Sequence, residues 1–332
     1  MSLAHWLAGA VMAALTLYAL AAGADFGGGV WDLLAHGPRA GRQRALIAHA
    51  IGPIWEANHV WLILAVVLMF VCFPSAWSAL STALHIPLTL MLVGVVLRGS
   101  AFAFRSYGAE DGAAERRWGR TFAMASVVTP LTLGLCVGAA ASGAIRVRDG
   151  RLLTGFFESW LRPFPLVVGL FTLALFSFLA AVYLAREAGE EDLRADFRRR
   201  ALAAGVVSGV LAFTALPLAR ESAPLLWAGL TAGWWSLPFH LLTGLCALAA
   251  LVALYRKRDA LAQAAAIVQV TLVLWGWALA QFPYVLPPDL TFEGAAAPPA
   301  VLRAVLGALG AGLLLLAPSL AYLYRVFKLA RS

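Results

Sequence analysis

Residues 52–73 read GPIWEANHVWLILAVVLMFVCF, a polar head followed by an unbroken apolar run. An apolar run of about 20 residues is long enough to cross the ~30 Å hydrocarbon core of a bilayer as an α-helix. Glu56, Asn58 and His59 stand at the head of this run, and an ionisable side chain near a membrane helix centre costs roughly 2.5 to 3.5 kcal/mol on insertion scales. Groups retained at that cost usually face the interior of a helix bundle. The stretch therefore predicts a membrane helix that begins with a polar site.

The composition of the whole chain agrees with a membrane protein. Apolar residues make up 62% of the 332 residues and charged residues 13%, against roughly 45–50% and about 25% in soluble domains. The basic residues behind the net charge of +8 lie in short loops between apolar runs, as membrane topology requires. Because they do not form a solvated basic face, we expect no nucleic-acid partner and assign the chain to the integral membrane class.

A window of about 20 residues finds nine predicted transmembrane helices. They lie at residues 4–22, 52–71, 79–103, 122–143, 164–185, 201–219, 237–255, 264–285 and 301–324. We expect one all-α polytopic membrane domain over residues 1–332, with helices 1–4 within about 4–143, helices 5–8 within about 164–285 and helix 9 at about 301–324. The echo of LHIPLT at 84–89 in PFHLLT at 238–243 predicts two related four-helix bundles plus one peripheral helix, with chance as the competing interpretation. The apolar residues 225–235 are a further candidate for a re-entrant or interfacial piece.

The distribution of basic residues predicts the orientation. With nine helices and the amino terminus outside, eighteen Lys and Arg residues fall on the inner side and five in the outer loops. This excess predicts an outer amino terminus and an inner carboxyl terminus. No basic residue precedes the first apolar run, which leads into Asp25, so we expect it to remain as a helix rather than to be a cleaved signal peptide. The glycines at 27–29 predict either unwinding at the end of helix 1 or close helix approach.

Three charged residues come from three consecutive predicted helices and, by topology, from similar depth: Asp25, Glu56 and Arg98. An unpaired buried charge is costly, so we expect Arg98 to neutralise at least one of the two carboxylates. Glu56 and His59 are three residues apart, hence neighbours on a helix surface that can share a water or a proton. The sequence therefore suggests a proton pathway through Glu56, His59 and Asp25 that takes up cytoplasmic protons. A purely structural ion pair is the alternative.

The remaining candidate ligands give weaker signals. Cys72, Cys136 and Cys246 each stand alone without metal-binding spacing, which is typical of small buried hydrophobic residues. His85 and His240 lie deep enough to bind a haem, but each is a single histidine near a proline. We therefore expect no metal site on this chain. Predicted helix 8 carries polar and aromatic residues that can line a quinone or lipid groove or form a packing stripe: Gln269, Gln281, Trp275, Trp277, Phe282 and Tyr284.

Five stretches resemble subunit II of the cytochrome bd-type quinol oxidases. They are ADFGGGVWDLL at 24–34, GPIWEANHVWLI at 52–63, FPSAWSALSTALHIPLTL at 73–90, VLRGSAFAFRSYG at 96–108 and QFPYVLPPDLT at 281–291. Trp55, Asn58 and Trp61 are motif residues of the second stretch. The resemblance covers the first third of the chain in near-continuous order and returns in helix 8, and it also implies nine helices.

The resemblance implies a heterodimer in the bacterial inner (cytoplasmic) membrane, in contact with membrane lipid. The larger, haem-bearing subunit I would hold the b haems, haem d and the quinol site. This chain would be a non-catalytic partner that stabilises subunit I and contributes to cytoplasmic proton uptake for oxygen reduction to water. Asp25 and Arg98 match charged positions of the family, and Glu56 stands where a carboxylate follows the Trp. Some members carry charged groups at three further positions, so a complete family-like proton route is an open question: Ala22, Ala103 and Tyr107.

Two other functions are compatible with the residues. A proton-coupled secondary transporter would also combine repeated bundles, glycine-broken helices and charges within the membrane. It would move a solute without a haem-bearing partner. A structural membrane scaffold would tolerate neutral replacement of Asp25, Glu56 and Arg98 together while still binding its partner.

Overall fold

The computed structural model describes the backbone of residues 2–51, 55–107 and 112–324, and their side chains except at 51–57, 105–116, 317, 320–321 and 323–324. Within these residues the chain forms twelve α-helices and four short strands. The helices are α1 (Leu3–Leu33), α2 (Ala40–Ile51), α3 (Trp55–Cys72), α4 (Pro74–Ala83), α5 (His85–Tyr107), α6 (Gly112–Ala141), α7 (Pro163–Glu187), α8 (Glu191–Ser222), α9 (Pro224–Ala232), α10 (Ser236–Tyr255), α11 (Asp259–Gln281) and α12 (Pro299–Tyr324). The strands are β1 (Val147–Arg148), β2 (Arg151–Leu152), β3 (Tyr284–Leu286) and β4 (Leu290–Thr291).

The long helices confirm the predicted all-α membrane fold. In the described part of the chain, eight helices are long and apolar enough to cross a membrane: α1, α5, α6, α7, α8, α10, α11 and α12. The bent pair of α3 and α4 raises this number to nine if it forms one broken span. The nine predicted segments therefore correspond to these eight helices and α3, and the chain is a multi-pass membrane protein.

Helix α1 is longer than the sequence suggested. It was expected to end at residue 22, but it continues to Leu33, so Asp25 and the three glycines lie inside a regular helix. A Cβ at Gly27 would overlap the backbone carbonyl of Phe176 in α7, and one at Gly29 would overlap the hydroxyl of Ser126 in α6. This close packing offsets the ~1 kcal/mol that a glycine costs in a helix interior. The prediction of close approach is therefore right and that of unwinding is wrong.

Two short helices, α4 and α9, each follow a one-residue break with similar backbone angles. The chain bends by 119° between the axes of α3 and α4. The residue before α4, Phe73, has φ −133° and ψ 58°, and the residue before α9, Ala223, has φ −145° and ψ 61°. Each break is followed by the pattern P-x-x-W-x-x-L, at 74–80 and again at 224–230. The break residues of the two halves therefore share their backbone conformation and the pattern that follows it.

These breaks explain two differences from the predicted boundaries. Helix 3 was expected from residue 79, but α4 occupies the chain up to Ala83 and α5 begins at His85. The apolar stretch 225–235, whose structure the sequence left open, contains α9 and the residues that connect it to α10. In both places a proline at the first helical position starts a new helix after the break.

The two halves pack together around α1 and α7. Helix α1 contacts α3, α6, α7 and α11, while α7 contacts α6, α8 and α11. Helix α12 packs on α1 and α3, and only 6% of the most apolar part of its span is buried. It therefore takes the peripheral position expected for the ninth helix.

Polar contacts tie the loops together at both ends of the helices. At one end, the guanidinium of Arg146 binds the carboxylate of Asp289 at 2.9 and 3.1 Å, which connects the β1–β2 hairpin to the β3–β4 hairpin. At the other end, Arg39 of α2 binds Asp196 of α8 through two hydrogen bonds of 2.7 Å. At the same end, Arg198 of α8 also binds the carboxylate of Asp259 in α11. The second end carries the excess of basic residues and is the predicted inner side; the orientation itself stays a prediction.

Candidate functional site

A cluster of buried polar side chains lies where α1, α3, α5 and α6 meet. It consists of Asp25, Asn58, Arg98 and Ser126, one from each helix, and we call it the Asp25 cluster. Their exposed fractions are 6%, 4%, 2% and 0%. Charged residues inside membrane segments usually face the bundle interior and have partners there. The four-helix junction supplies such an interior.

Hydrogen bonds connect the members of the Asp25 cluster. The Asn58 side-chain amide donates to Oδ2 of Asp25. Arg98 donates from Nη2 to the backbone oxygen of Asp25 at 2.9 Å and from Nε to Oγ of Ser126 at 3.2 Å. Among the described contacts, Arg98 thus reaches Asp25 through its main-chain oxygen. The expectation that Arg98 neutralises a carboxylate stays a prediction, which this proximity supports.

Two aromatic rings cover the Arg98 guanidinium. Its Cζ lies 4.8 Å from the centroid of the Phe26 ring and 5.0 Å from that of Phe122. A guanidinium over an aromatic face is attracted by the ring quadrupole, and the attraction is greater when water is excluded. The rings therefore stabilise a positive charge at this position, although the sequence alone did not indicate them.

His59 and Tyr18 extend the site beyond Phe26. The His59 ring lies 5.9 Å from the Phe26 ring and 5.9 Å from the Tyr18 ring, between centroids. Trp61, a motif residue, packs against the apolar cluster that contains Tyr18 and Phe26. Tyr18 is 1% exposed, and its hydroxyl has no hydrogen-bond partner in the described part of the chain. Sequence analysis missed Tyr18, although its spacing of seven residues from Asp25 places both on one helix face.

Glu56 and Trp55 are described only by their backbone. Helix α3 begins at Trp55, so both residues lie in its first turn and Glu56 precedes His59 by about one turn. Their side chains lie outside the described residues. The proposed role of Glu56 in proton uptake therefore stays a prediction.

The two histidines considered as haem ligands lie far apart in the chain, on different helices. His85 and His240 lie on the exposed surface of this chain, with Nδ1 next to the backbone oxygens of Thr82 and Ser236 in their own segments, at 2.9 and 2.6 Å. His59 is packed among aromatic rings. Nowhere in the described ranges do three or more His, Cys, Asp or Glu side chains gather where they could hold a metal ion.

Gln281 has a structural role at the end of α11. Its Oε1 accepts a hydrogen bond from Trp277 at 2.9 Å, and its Nε2 donates to the backbone oxygen of Val285 at 3.1 Å. These bonds join α11 to strand β3 and favour the packing interpretation of the aromatic stripe. A bound quinone or lipid in this region stays a prediction.

Comparison with known proteins gives consistent matches. The family model for cytochrome bd terminal oxidase subunit II matches residues 3–327. The putative cytochrome bd menaquinol oxidase subunit II of Bacillus subtilis is 24% identical over 321 residues, which cover 94% of this chain and 91% of that protein. The cytochrome bd-I ubiquinol oxidase subunit 2 of Escherichia coli is 30% identical over 156 residues, 46% of this chain and 41% of that protein. The fold is similar to that in the structure of bd oxidase from Geobacillus thermodenitrificans, with a TM-score of 0.83 over 99% of both chains at 22% identity.

Proposed function

Because the chain belongs to the cytochrome bd terminal oxidase subunit II family and is thus a subunit of a quinol oxidase, we propose that it is the non-catalytic member of a heterodimer with a haem-bearing subunit I. The complex would lie in the bacterial inner membrane and oxidise quinol while reducing oxygen to water. The haems b and d would supply electron transfer and oxygen reduction. We assign their ligands to subunit I, as the family resemblance implies.

The buried Asp25 cluster is the observation that carries a role in proton uptake. Oxygen reduction to water consumes protons, and these must cross an apolar interior to reach the reaction. The carboxyl group of Asp25 can bind and release a proton. Asn58 and Arg98 can hold Asp25 in place and stabilise its charged form. We propose that Asp25, with His59 and Glu56 at the start of α3, passes cytoplasmic protons toward subunit I.

A second role is to stabilise subunit I as a rigid partner. Contact between α1 and α7 joins the two halves, and a Cβ at Gly23 or Gly27 of α1 would overlap residues of α7. This packing supports the proposal that residues 1–332 act as one domain. Apolar side chains on α3 and α5 face outward, which suits contact with another membrane protein or with lipid: Ile63, Phe70, Leu92 and Val96.

Purification of the complex in mild detergent tests the subunit assignment. We expect a larger chain to copurify, with haem absorption bands and quinol oxidase activity. Without a haem-bearing partner the assignment is wrong. Solute transport by the chain alone in proteoliposomes would favour the transporter instead.

Asp25→Asn tests the role in proton uptake. A pH-indicator dye in weakly buffered solution reports uptake when the reduced complex is mixed with oxygen. We expect uptake to slow by about tenfold or more at unchanged haem content, since removal of a positioned proton-transfer group typically costs ~10²–10⁴-fold. Asp192→Asn, which removes an exposed acid that binds Arg42, is the matched control and should leave uptake unchanged. Wild-type uptake in Asp25→Asn would contradict the proposed role.

A further inference from the structure

We propose that Asp32, Asp25 and Tyr18 form a proton relay along one face of α1, with Asp32 as the entrance and Tyr18 as the group beyond Asp25. This inference rests on the proposed role of Asp25 in proton uptake and adds two groups to it. Neither Asp32 nor Tyr18 belongs to the polar site at the start of α3 that the sequence singled out.

The spacing of the three residues places them on one line. Each is seven residues from the next, and seven residues make almost two full turns of an α-helix with a rise of about 10 Å. All three are buried, with exposed fractions of 1% for Tyr18, 6% for Asp25 and 5% for Asp32. Helix α1 is continuous through this range, so the line is not interrupted by a loop.

Asp32 connects this line to the predicted inner surface. It lies in the last turn of α1, and its Oδ1 is 4.0 Å from Nε of Arg44, whose side chain is 42% exposed. The neighbouring Trp31 donates from Nε1 to the backbone oxygen of Ser177 at 2.8 Å and so fixes this turn of α1 against α7. A buried carboxyl group beside an exposed cation is suited to exchange protons with water at the helix end.

A hydroxyl group lies between the two acids. Gly29, one turn after Asp25 on the same face, has no side chain, and the Ser126 hydroxyl occupies the space that a Cβ there would fill. This hydroxyl accepts from Arg98 and donates to the backbone oxygen of Phe122 at 2.7 Å. Because about 10 Å exceeds the length of one hydrogen bond, transfer from Asp32 to Asp25 requires water molecules, with the Ser126 hydroxyl as a fixed partner. Each step moves one proton between oxygen atoms and needs no other reactant.

The Tyr18 hydroxyl indicates where the line continues. Buried polar groups without any partner are rare, and a buried water usually satisfies them. Thr16, a buried hydroxyl on another face of the same helix, instead donates to the backbone oxygen of Met12 at 2.7 Å. Tyr18 Oη has no such bond in the described ranges. We assign to it the first water of a short chain of waters that links Tyr18 to the Asp25 cluster, since the same rise of about 10 Å separates these two residues.

Asp32→Asn and Tyr18→Phe, each in the purified complex with subunit I, test the relay. We expect each to slow proton uptake by about tenfold or more in the dye assay, while Asp32→Glu, which retains the carboxyl group, restores uptake. The melting temperature of Tyr18→Phe should not fall, because the removed hydroxyl has no protein partner among the described residues. A purely structural Tyr18 would leave proton uptake unchanged.

Matched controls separate the relay from general effects on the helix. Thr16→Val removes a buried hydroxyl that lies off the line and should leave uptake at the wild-type rate. Asp192→Asn removes an exposed acid on the predicted inner side and should also leave uptake unchanged. Wild-type uptake in either Asp32→Asn or Tyr18→Phe overturns the relay. If Asp25→Asn is slow in that same assay, the proposed function stands without the relay, and if Asp25→Asn is also at the wild-type rate, both fail.

Discussion

Replacing Arg98 by glutamine tests how strongly the Asp25 cluster depends on its buried positive charge. The substitution removes two hydrogen bonds from a charged donor, to Asp25 and Ser126, worth about 1.5 to 3 kcal/mol each. It also removes the contacts with the Phe26 and Phe122 rings, worth about 0.5 to 2 kcal/mol each. Part of this sum is recovered, because a buried guanidinium no longer has to be kept out of water. Removing one partner of a buried charged group costs about 3 to 5 kcal/mol, and we expect a destabilisation in this range for Arg98→Gln.

The assay is unfolding of the purified complex in detergent, followed by fluorescence, for the wild type, Arg98→Gln, Asp25→Asn and the double variant. If the two groups interact, the double variant should be less destabilised than the sum of the single variants, by about 0.5 to 3 kcal/mol. Asp192→Asn again serves as the control for loss of an acid. Additive effects, or an Arg98→Gln protein as stable as the wild type, would refute the electrostatic interpretation of the cluster.

Two further predictions concern packing and pH. Gly27→Ala should destabilise the protein by about 1 to 3 kcal/mol in a melting experiment, because its Cβ would overlap a backbone carbonyl of α7. Gly9→Ala is the control: no atom lies within 4 Å of the new Cβ, so this variant should be neutral or slightly stabilising. The hydrogen bonds from Arg146 hold the pKa of Asp289 below its usual value. This contact is therefore at full strength above the unfolded pKa of about 3.9 and weakens as the pH falls through the lower pKa of the folded state. Melting temperatures between pH 6 and pH 3 should show this loss in the wild type and a smaller one in Asp289→Asn; equal slopes would contradict it.

The sequence predicted the membrane helices well because their signal is a sum over about 20 residues. One or two misplaced polar residues do not change that sum, so all nine segments correspond to helices of the structure. The end of helix 1 was wrong for a physical reason. Asp25 and the glycines at 27–29 are unfavourable in an isolated apolar helix, but contacts with α6 and α7 stabilise them there. Such contacts between distant parts of the chain leave no local pattern.

The candidate site was predicted in part. Asp25 and Arg98 were identified because charges in membrane helices are rare, and the structure places them side by side. Asn58 was noted as a motif residue, and its bond to Asp25 depends on how α3 faces α1. Phe26, Phe122 and other rings could not be selected from a sequence in which 11% of residues are aromatic. Their role follows from which helix faces meet, and this is a property of the tertiary structure.

The matched breaks before α4 and α9 also bear on the history of the chain. Two turns with nearly the same backbone angles and the same P-x-x-W-x-x-L pattern lie 150 positions apart, and a tandem gene duplication is the simplest explanation of such a repeat. At that offset Asn58 corresponds to Ser208, and Arg98 corresponds to Leu248. The later copy thus has an uncharged side chain where the earlier one has Arg98. The corresponding positions have thus diverged, so that a buried cation is present in the first half and an apolar side chain in the second.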